Sequence, residues 1–372
     1  MRLSSALRKA AVGAAAISLL TACVGGGAPG AGAAGEKPGG AAESGAGPSE
    51  RPAAWTDLPV RAGTRDAVHK DTDQRVYQVR ITVESLVRGS AEDMRGAQVD
   101  EELKGTVPHY VGYQVTNTSR KQIPASYMVG SGFALNATDW TRGEEIRISG
   151  GRPGGGDLPC SDTAPKTLPP GASFRSCAAF TLPAGVGVLS VTHHTDGTFA
   201  TGGPIASWPV EGGVRAASAG LAGPGETLLV RWRDIDRGVL ELPATPVSVR
   251  RGDPADLAGL DLGLDPHERR GVPYYVLIRY TNPGPGKLYP SQAGDVRLLT
   301  EGGRQIAGKT PFLFRGKIPG CPSDWVARLV PAGGDVTQCS IHMLPDDGDK
   351  PLAVGFAEAD RTGLVTWRAP LR

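Results

Sequence analysis

Beyond its first two dozen residues the chain has no run of the ~20 apolar residues that a bilayer-spanning helix needs. It also lacks a dominant charge. Lys and Arg number 40 against 38 Asp and Glu, and no Lys/Arg-rich run of useful length occurs. There is therefore no field to hold nucleic acid or an anionic surface. Signatures of common hydrolases are missing too: no G-x-S-x-G elbow, no H-E-x-x-H, and no Cys-His pair with a free cysteine. No residue is singled out as catalytic. With four methionines and no Met-x-x-Met, the neighbours His342 and Met343 make a poor copper site. The run "PDDGDK", Pro345 to Lys350, fails the D-x-D-x-D-G pattern of a calcium loop and reads as a solvated turn. No metal or cofactor is expected.

What is present begins with an address. Arg2, Arg8 and Lys9 precede an apolar run, Ala10 to Leu20, with the charge and length of a secretory leader. The run closes on Leu20, Thr21, Ala22 and Cys23. That is similar to the lipobox of bacterial lipoproteins, which implies cleavage after Ala22 and an acylated, thioether-linked Cys23 as the mature N-terminus. The alternative is an ordinary leader with a chance cysteine. Two acyl chains, at about 0.8 kcal/mol per buried methylene, would anchor the protein stably on the outer face of the cell membrane. The stretch Val24 to Ala54 is Gly-, Ala- and Pro-rich with almost nothing to bury, so it reads as a disordered tether spanning roughly 30 Å on average.

The remainder repeats. "VPHYVGYQVTN" (Val107 to Asn117) returns as "VPYYVLIRYTN" (Val272 to Asn282). "LVRGSAEDMRG" (Leu86 to Gly96) returns as "VRRGDPADLAG" (Val249 to Gly259). The segment Cys160 to Pro183 matches Cys321 to Pro345, and "IASWPV" and "LVTWRAP" close the two copies. The order is kept and the offset stays near 160 residues, the mark of duplication. Tyr110 to Thr116 and Tyr274 to Tyr280 are aromatic and β-branched, as strands are. With 53 Gly and 31 Pro, the chain is punctuated too often for long helices. The fold class is all-β: two tandem Ig-like antiparallel β-sandwiches behind a disordered tether. "AEDMRGAQVDEELKG" has room for one helical turn. The expected organisation is a leader over 1–22, the lipidated cysteine and linker over 23–56, one sandwich over 57–212, a joint over 213–226 and a second sandwich over 227–372.

Four cysteines remain, in two pairs at repeat-equivalent places: Cys160 with Cys177, and Cys321 with Cys339. Four allow three connectivities, and duplication favours a bridge inside each copy. Such bridges persist outside the cytoplasm. Each would close a loop of roughly 17 residues, about 3 kcal/mol in the chain-entropy view. Free thiols and a four-thiolate metal site are the alternatives, though the spacing lacks C-x-x-C pairs.

Several of these residues, Tyr110, Val115, Thr116, Asn117, Thr118, Pro169, Pro170, Gly171 and Phe174, form a pattern that resembles small Ig-like, telokin-like domains of unknown function carried on bacterial lipoproteins. The resemblance implies a fold and a location and brings no catalytic residues. The second copy departs from it: Pro283 follows Asn282, and "VPAGG" replaces "LPPG". The cysteine pairs and the insertion Ala255 to Arg270 also lie outside the pattern.

"GRQIAGKT", residues 303–310, fits the phosphate-loop template through Gly303, Gly308, Lys309 and Thr310. Pro311 follows at once, leaving no room for the helix that such a loop opens, so we read a chance match within a hairpin turning at Gly302 and Gly303. "RGD", Arg251 to Asp253, is "RGS" in the other copy and reads as an inherited turn. His193 aligns with Phe356, and His109 with Tyr274, which makes both packed rings. Trp208 and Trp367 read as core, whereas Trp140 and Trp325 lie in loop-like sequence and could mark a binding surface. Function is thus narrowed to a surface lipoprotein binding a protein, glycan or cell-wall component. An envelope hydrolase with an unrecognised site and a bare spacer are the alternatives.

Overall fold

The computed structural model describes residues 55–70, 75–94, 103, 105–124, 132–146, 165–194, 206–234, 237–260, 262–264, 268–289, 291–309, 318–322, 329–359 and 363–372. The leader, Cys23, residues 24–54 of the linker, Cys160, Thr310 and Trp325 lie outside them. Among the described residues no helix is long and apolar enough to cross a membrane. One compact unit, Ser49–Arg372, takes in both copies.

The chain is all-β. The first copy carries β1 (Thr56–Asp57), β2 (Gly63–Lys70), β3 (Val76–Arg88), β4 (Thr106–Asn117), β5 (Ile123–Pro124), β6 (Phe133–Ala137), β7 (Glu144–Ile146), β8 (Thr167–Leu168), β9 (Ser173–Pro183), β10 (Val188–His193) and β11 (Ala206–Pro209). A short helix, α1 (Gly213–Ala219), follows. The second copy carries β12 (Leu228–Asp234), β13 (Gly238–Arg251), β14 (Val272–Thr281), β15 (Val296–Thr300), β16 (Gln305–Ala307), β17 (Asp335–Leu344), β18 (Pro351–Ala357) and β19 (Leu364–Arg368).

Alternation drives these strands. In β3, Tyr77, Val79, Ile81 and Val83 turn inward while Gln78 and Arg80 face solvent. Central β4 and β14 are more continuously buried because both their faces are covered. The larger antiparallel sheets run β2-β3-β4-β9 and β12-β13-β14-β17, with β1 and β7 added to the first. The smaller run β11-β10-β6 and β19-β18-β15-β16. In each copy the two sheets share a core, built on Trp208, Phe133, Phe180 and Tyr113 in the first and Trp367, Phe356, Tyr280 and Ile278 in the second.

The duplication extends to detail. A bulge falls between Val83 and Ser85 in one copy and between Pro246 and Ser248 in the other, the aligned positions. Buried Asn117 donates to the Lys121 and Leu168 carbonyls, both at 2.8 Å. Asn282 donates to Gly286 at 2.7 Å and Val330 at 2.9 Å. Each also accepts a backbone N–H two residues on, from Ser119 and Gly284, so both build the same Asx turn. The divergent "VPAGG" folds as "LPPG" does: Gly171 and Gly333 take φ of 76° and 71° and donate to Asn117 and Asn282.

Each copy has a third layer on the outer face of its large sheet. Leu257, Leu262 and Ile318 cover Tyr275, Leu277, Ile341 and Met343. Trp55 and Leu103 cover Val87, Tyr110 and Ala179. The Cys321–Cys339 bridge ties this cover to β17 with a Cα–Cα distance of 5.6 Å, rather than linking the two sheets of the sandwich. Cys177 in β9 is also disulfide-bonded, with its partner outside the described residues.

Candidate functional site

The phosphate-loop look-alike is the β15–β16 hairpin and its turn, and the amides of that turn are already spent. Gly302 N–H donates to Asp349 Oδ1 at 2.8 Å, Gly303 to the Thr300 carbonyl at 2.9 Å and Arg304 to Thr300 Oγ1 at 3.0 Å. Lys309 N–H is bonded to the Ile341 carbonyl at 2.7 Å, and its ammonium lies 3.0 Å from Glu268 Oε1. A phosphate cradle needs amides that point outward unused; those of Gly302, Gly303, Arg304, Gly308 and Lys309 are all engaged.

Its tip does other work. The Gly303 carbonyl accepts from Ser190 Oγ at 2.8 Å and from Asn136 Nδ2 at 3.2 Å, and Gly302 accepts from Ser207. These three donors stand on the small sheet of the first sandwich. Beside them Gln305 Nε2 donates to the Trp140 carbonyl at 2.7 Å. An apolar cluster of Trp140, Leu189, Leu299, Ala353 and Ala217 of α1 completes the contact. The expected joint is therefore a wedge in an interface. Trp140 is 2% exposed, so the expectation that it marks a binding surface does not hold: the second sandwich covers it.

The turn 345–350 is not simply solvated either. Arg304, with a side chain only 4% exposed, is held by Asp347 and by Asp349 Oδ2 at 2.9 Å. A buried guanidinium without such partners would be prohibitive. Burial alone would raise the Asp347 carboxyl, but the hydrogen bond and charge of Arg304 outweigh it and hold the group below its ordinary range. No local pattern reveals Arg304, because its partners lie more than 40 residues away.

"RGD" is a folded corner. A Cβ on Gly252 would fall 2.3 Å from the Tyr275 ring, and Asp253 caps the 3₁₀ turn Pro254–Leu257 by accepting from Ala255 N–H at 2.8 Å. The five described histidines are interior. His193 meets Phe133 edge-on at 5.0 Å; burial, then the nearby His69, lowers its pKa to about 3. His109 is lowered to about 4, chiefly by burial and partly offset by its bond to the Val107 carbonyl. His342 Nδ1 donates to the Ile306 carbonyl at 2.9 Å, which leaves Nε2 to accept from Ser340 Oγ at 2.8 Å. Serine donating to imidazole is how nucleophiles are activated. Here both residues are sealed, at 1% and 0% exposure, with no path for a substrate. Met343 faces the opposite side of β17. Among the described residues no group of His, Cys, Asp and Glu could hold a metal.

One open concavity, about 360 Å³, lies at the end of the second sandwich. Its apolar surface comes from Val249, Val272, Leu344 and Leu371, with Tyr274 and two prolines beside them. Arg251, Lys350 and Arg372 stand around it, with Asp346 and Asp349. One wall is the turn that Arg304 grips from behind. At the matching end of the first sandwich, Ala184 to Gly187 replace this charged turn, and Leu58 packs in by donating to the Leu86 carbonyl. No family model, curated protein or solved structure matches the chain.

Proposed function

We propose that this chain is an extracytoplasmic lipoprotein that acts as a binding module, with Cys23 as the anchor and residues 24–54 as the tether. The observation that carries the reading is the Gly303 contact, which joins two sandwiches into one body with a charged groove open at its end. A rigid frame with a preformed concavity favours binding because little conformational entropy is lost on contact. Bridged Cys321 and Cys339 agree with an oxidising compartment. The lipobox pattern of Leu20 to Cys23 supports the membrane attachment. Hydrolysis is not favoured, since the one serine–imidazole hydrogen bond among the described residues, Ser340 to His342, is closed off in a core.

Photo-crosslinking from position 274, in the groove, is the test. In the native envelope it should yield one reproducible adduct that crosslinking from position 229, on the exposed face of β12, does not. Identical adducts from both positions, or turnover of a generic ester, peptide or glycoside panel by the purified chain, would overturn the reading.

A further inference from the structure

The groove states more about its ligand than that one exists. Of its two acids, Asp349 is already engaged, accepting from Gly302 N–H, from Arg304 and from Lys350 N–H at 2.9 Å. Asp346 is the one acidic side chain left in the lining. Facing it are three cationic side chains, Arg251, Lys350 and Arg372, none of which forms an ion pair or side-chain hydrogen bond among the described residues. Surface cations are commonly unpaired; three around one concavity are a focused positive field. Between them lies apolar surface that water covers poorly. Leu371, 60% exposed, extends the apolar surface of Val249, Val272 and Leu344 along the groove.

These features are held in place. Val249 is locked to the final strand segment by its N–H to Pro370 and its carbonyl to Arg372 N–H. The Lys350 wall is fixed through Asp349 to the buried Arg304. The concavity is thus preformed, and its size sits at the small-molecule end of ligand sites.

From this geometry we infer that the groove of the second sandwich binds a small amphipathic anion, with a carboxylate or phosphate head held by Arg251, Lys350 and Arg372 and a short apolar body laid on Val249, Leu344 and Leu371. The inference rests on the binding reading above and supplies its ligand class. Arginine offers a fork of donors that matches either head group, and lysine adds a point charge. The first sandwich, with Ala184 to Gly187 in place of the charged turn, has no counterpart.

The test uses the full chain with Cys23→Ser, so that no lipid competes, and follows amide shifts by two-dimensional NMR. Four probes share one apolar body: octanoate, octyl phosphate, octanol and octyltrimethylammonium. Octanoate or octyl phosphate should move the amides of Val249, Lys350 and Leu371, and whichever binds tighter identifies the head group. Arg251→Gln and Lys350→Gln replace exposed side chains that hold nothing in the fold, so their spectra should otherwise stay intact. Each should weaken anion binding about tenfold, the effect of one lost charge-assisted contact. Raising the salt from 0.05 to 0.5 M, values chosen to shorten the screening length, should weaken it further. Equal binding of octanol, preference for the ammonium probe, shifts located elsewhere, no shift with any probe, or unchanged affinity in both variants would each overturn the proposal. A position-274 adduct that persists in the double variant would spare the binding module while removing this ligand.

Discussion

The Ser190 hydroxyl of the first sandwich donates to the Gly303 carbonyl of the second at 2.8 Å. The contact depends on glycine twice over. Gly303 sits at φ 75°, and a Cβ there would fall 2.6 Å from Ser190 Cβ. Gly303→Ala should therefore cost about 2 kcal/mol or more, through left-handed backbone strain and overpacking. Calorimetry should show a lower first transition and separate melting of the two sandwiches. Unchanged melting would mean that the tip does not join them.

The Arg304 grip gives a second prediction. Arg304→Ala would leave the buried Asp349 carboxylate with backbone partners but no countercharge, which costs about 3 kcal/mol for a broken buried pair. Acid should reach the same contact. Asp347 is held below its ordinary value, so its contribution is full above about pH 4, the unfolded range, and is lost as pH falls through the folded value. Urea titrations of wild type and variant should converge below that range; a gap that stayed constant down to pH 2 would contradict the pairing.

His193 answers to pH in its own window. Its folded pKa is about 3 against an unfolded value near 6.5, so the unfolded chain binds the extra proton between them and stability falls as pH drops below 6.5. His193 Nδ1 has no hydrogen-bond partner among the described residues, and the aligned residue is Phe356. His193→Phe should thus remove the penalty, gaining ~2 kcal/mol at pH 5 and little at pH 8. A gain independent of pH, or a loss at pH 5, would refute the assignment.

The bridge between Cys321 and Cys339 closes a separation of 18 residues and pins the outer cover to β17. Cys339→Ala should cost about 3 kcal/mol. Hydrogen exchange should rise first at Leu257 and Ile318, the cover, and only later in the inner core around Trp367. Uniform loosening of the whole sandwich would place the bridge elsewhere in the energetics.

Legibility in the sequence followed the reach of each interaction. The duplication, the Gly302–Gly303 turn and the burial of Trp208 and Trp367 could be read from local pattern and self-comparison, because period-2 alternation and repeat alignment carry them. Asn117 and Asn282 were visible as a shared "TN" without their role. Hidden were the contacts that cross between copies or close long loops: Ser190 with Gly303 across 113 residues, and Gln305 with Trp140 across 165. No spacing rule predicts that a polar row on one small sheet receives the hairpin of another. For the same reason Trp140 looked like exposed surface, and "PDDGDK" like an idle turn. The groove was illegible because Arg251, Lys350 and Leu371 meet only once three separated segments are folded together.

The account's central claim is that this two-sandwich body works outside the cytoplasm on a lipid leash. Mass spectrometry of the N-terminal peptide from the membrane fraction tests it most directly. The account predicts a chain beginning at Cys23 and carrying a diacylglyceryl thioether on Sγ. A chain that keeps residues 1–22, or begins elsewhere with Cys23 unmodified, would contradict it.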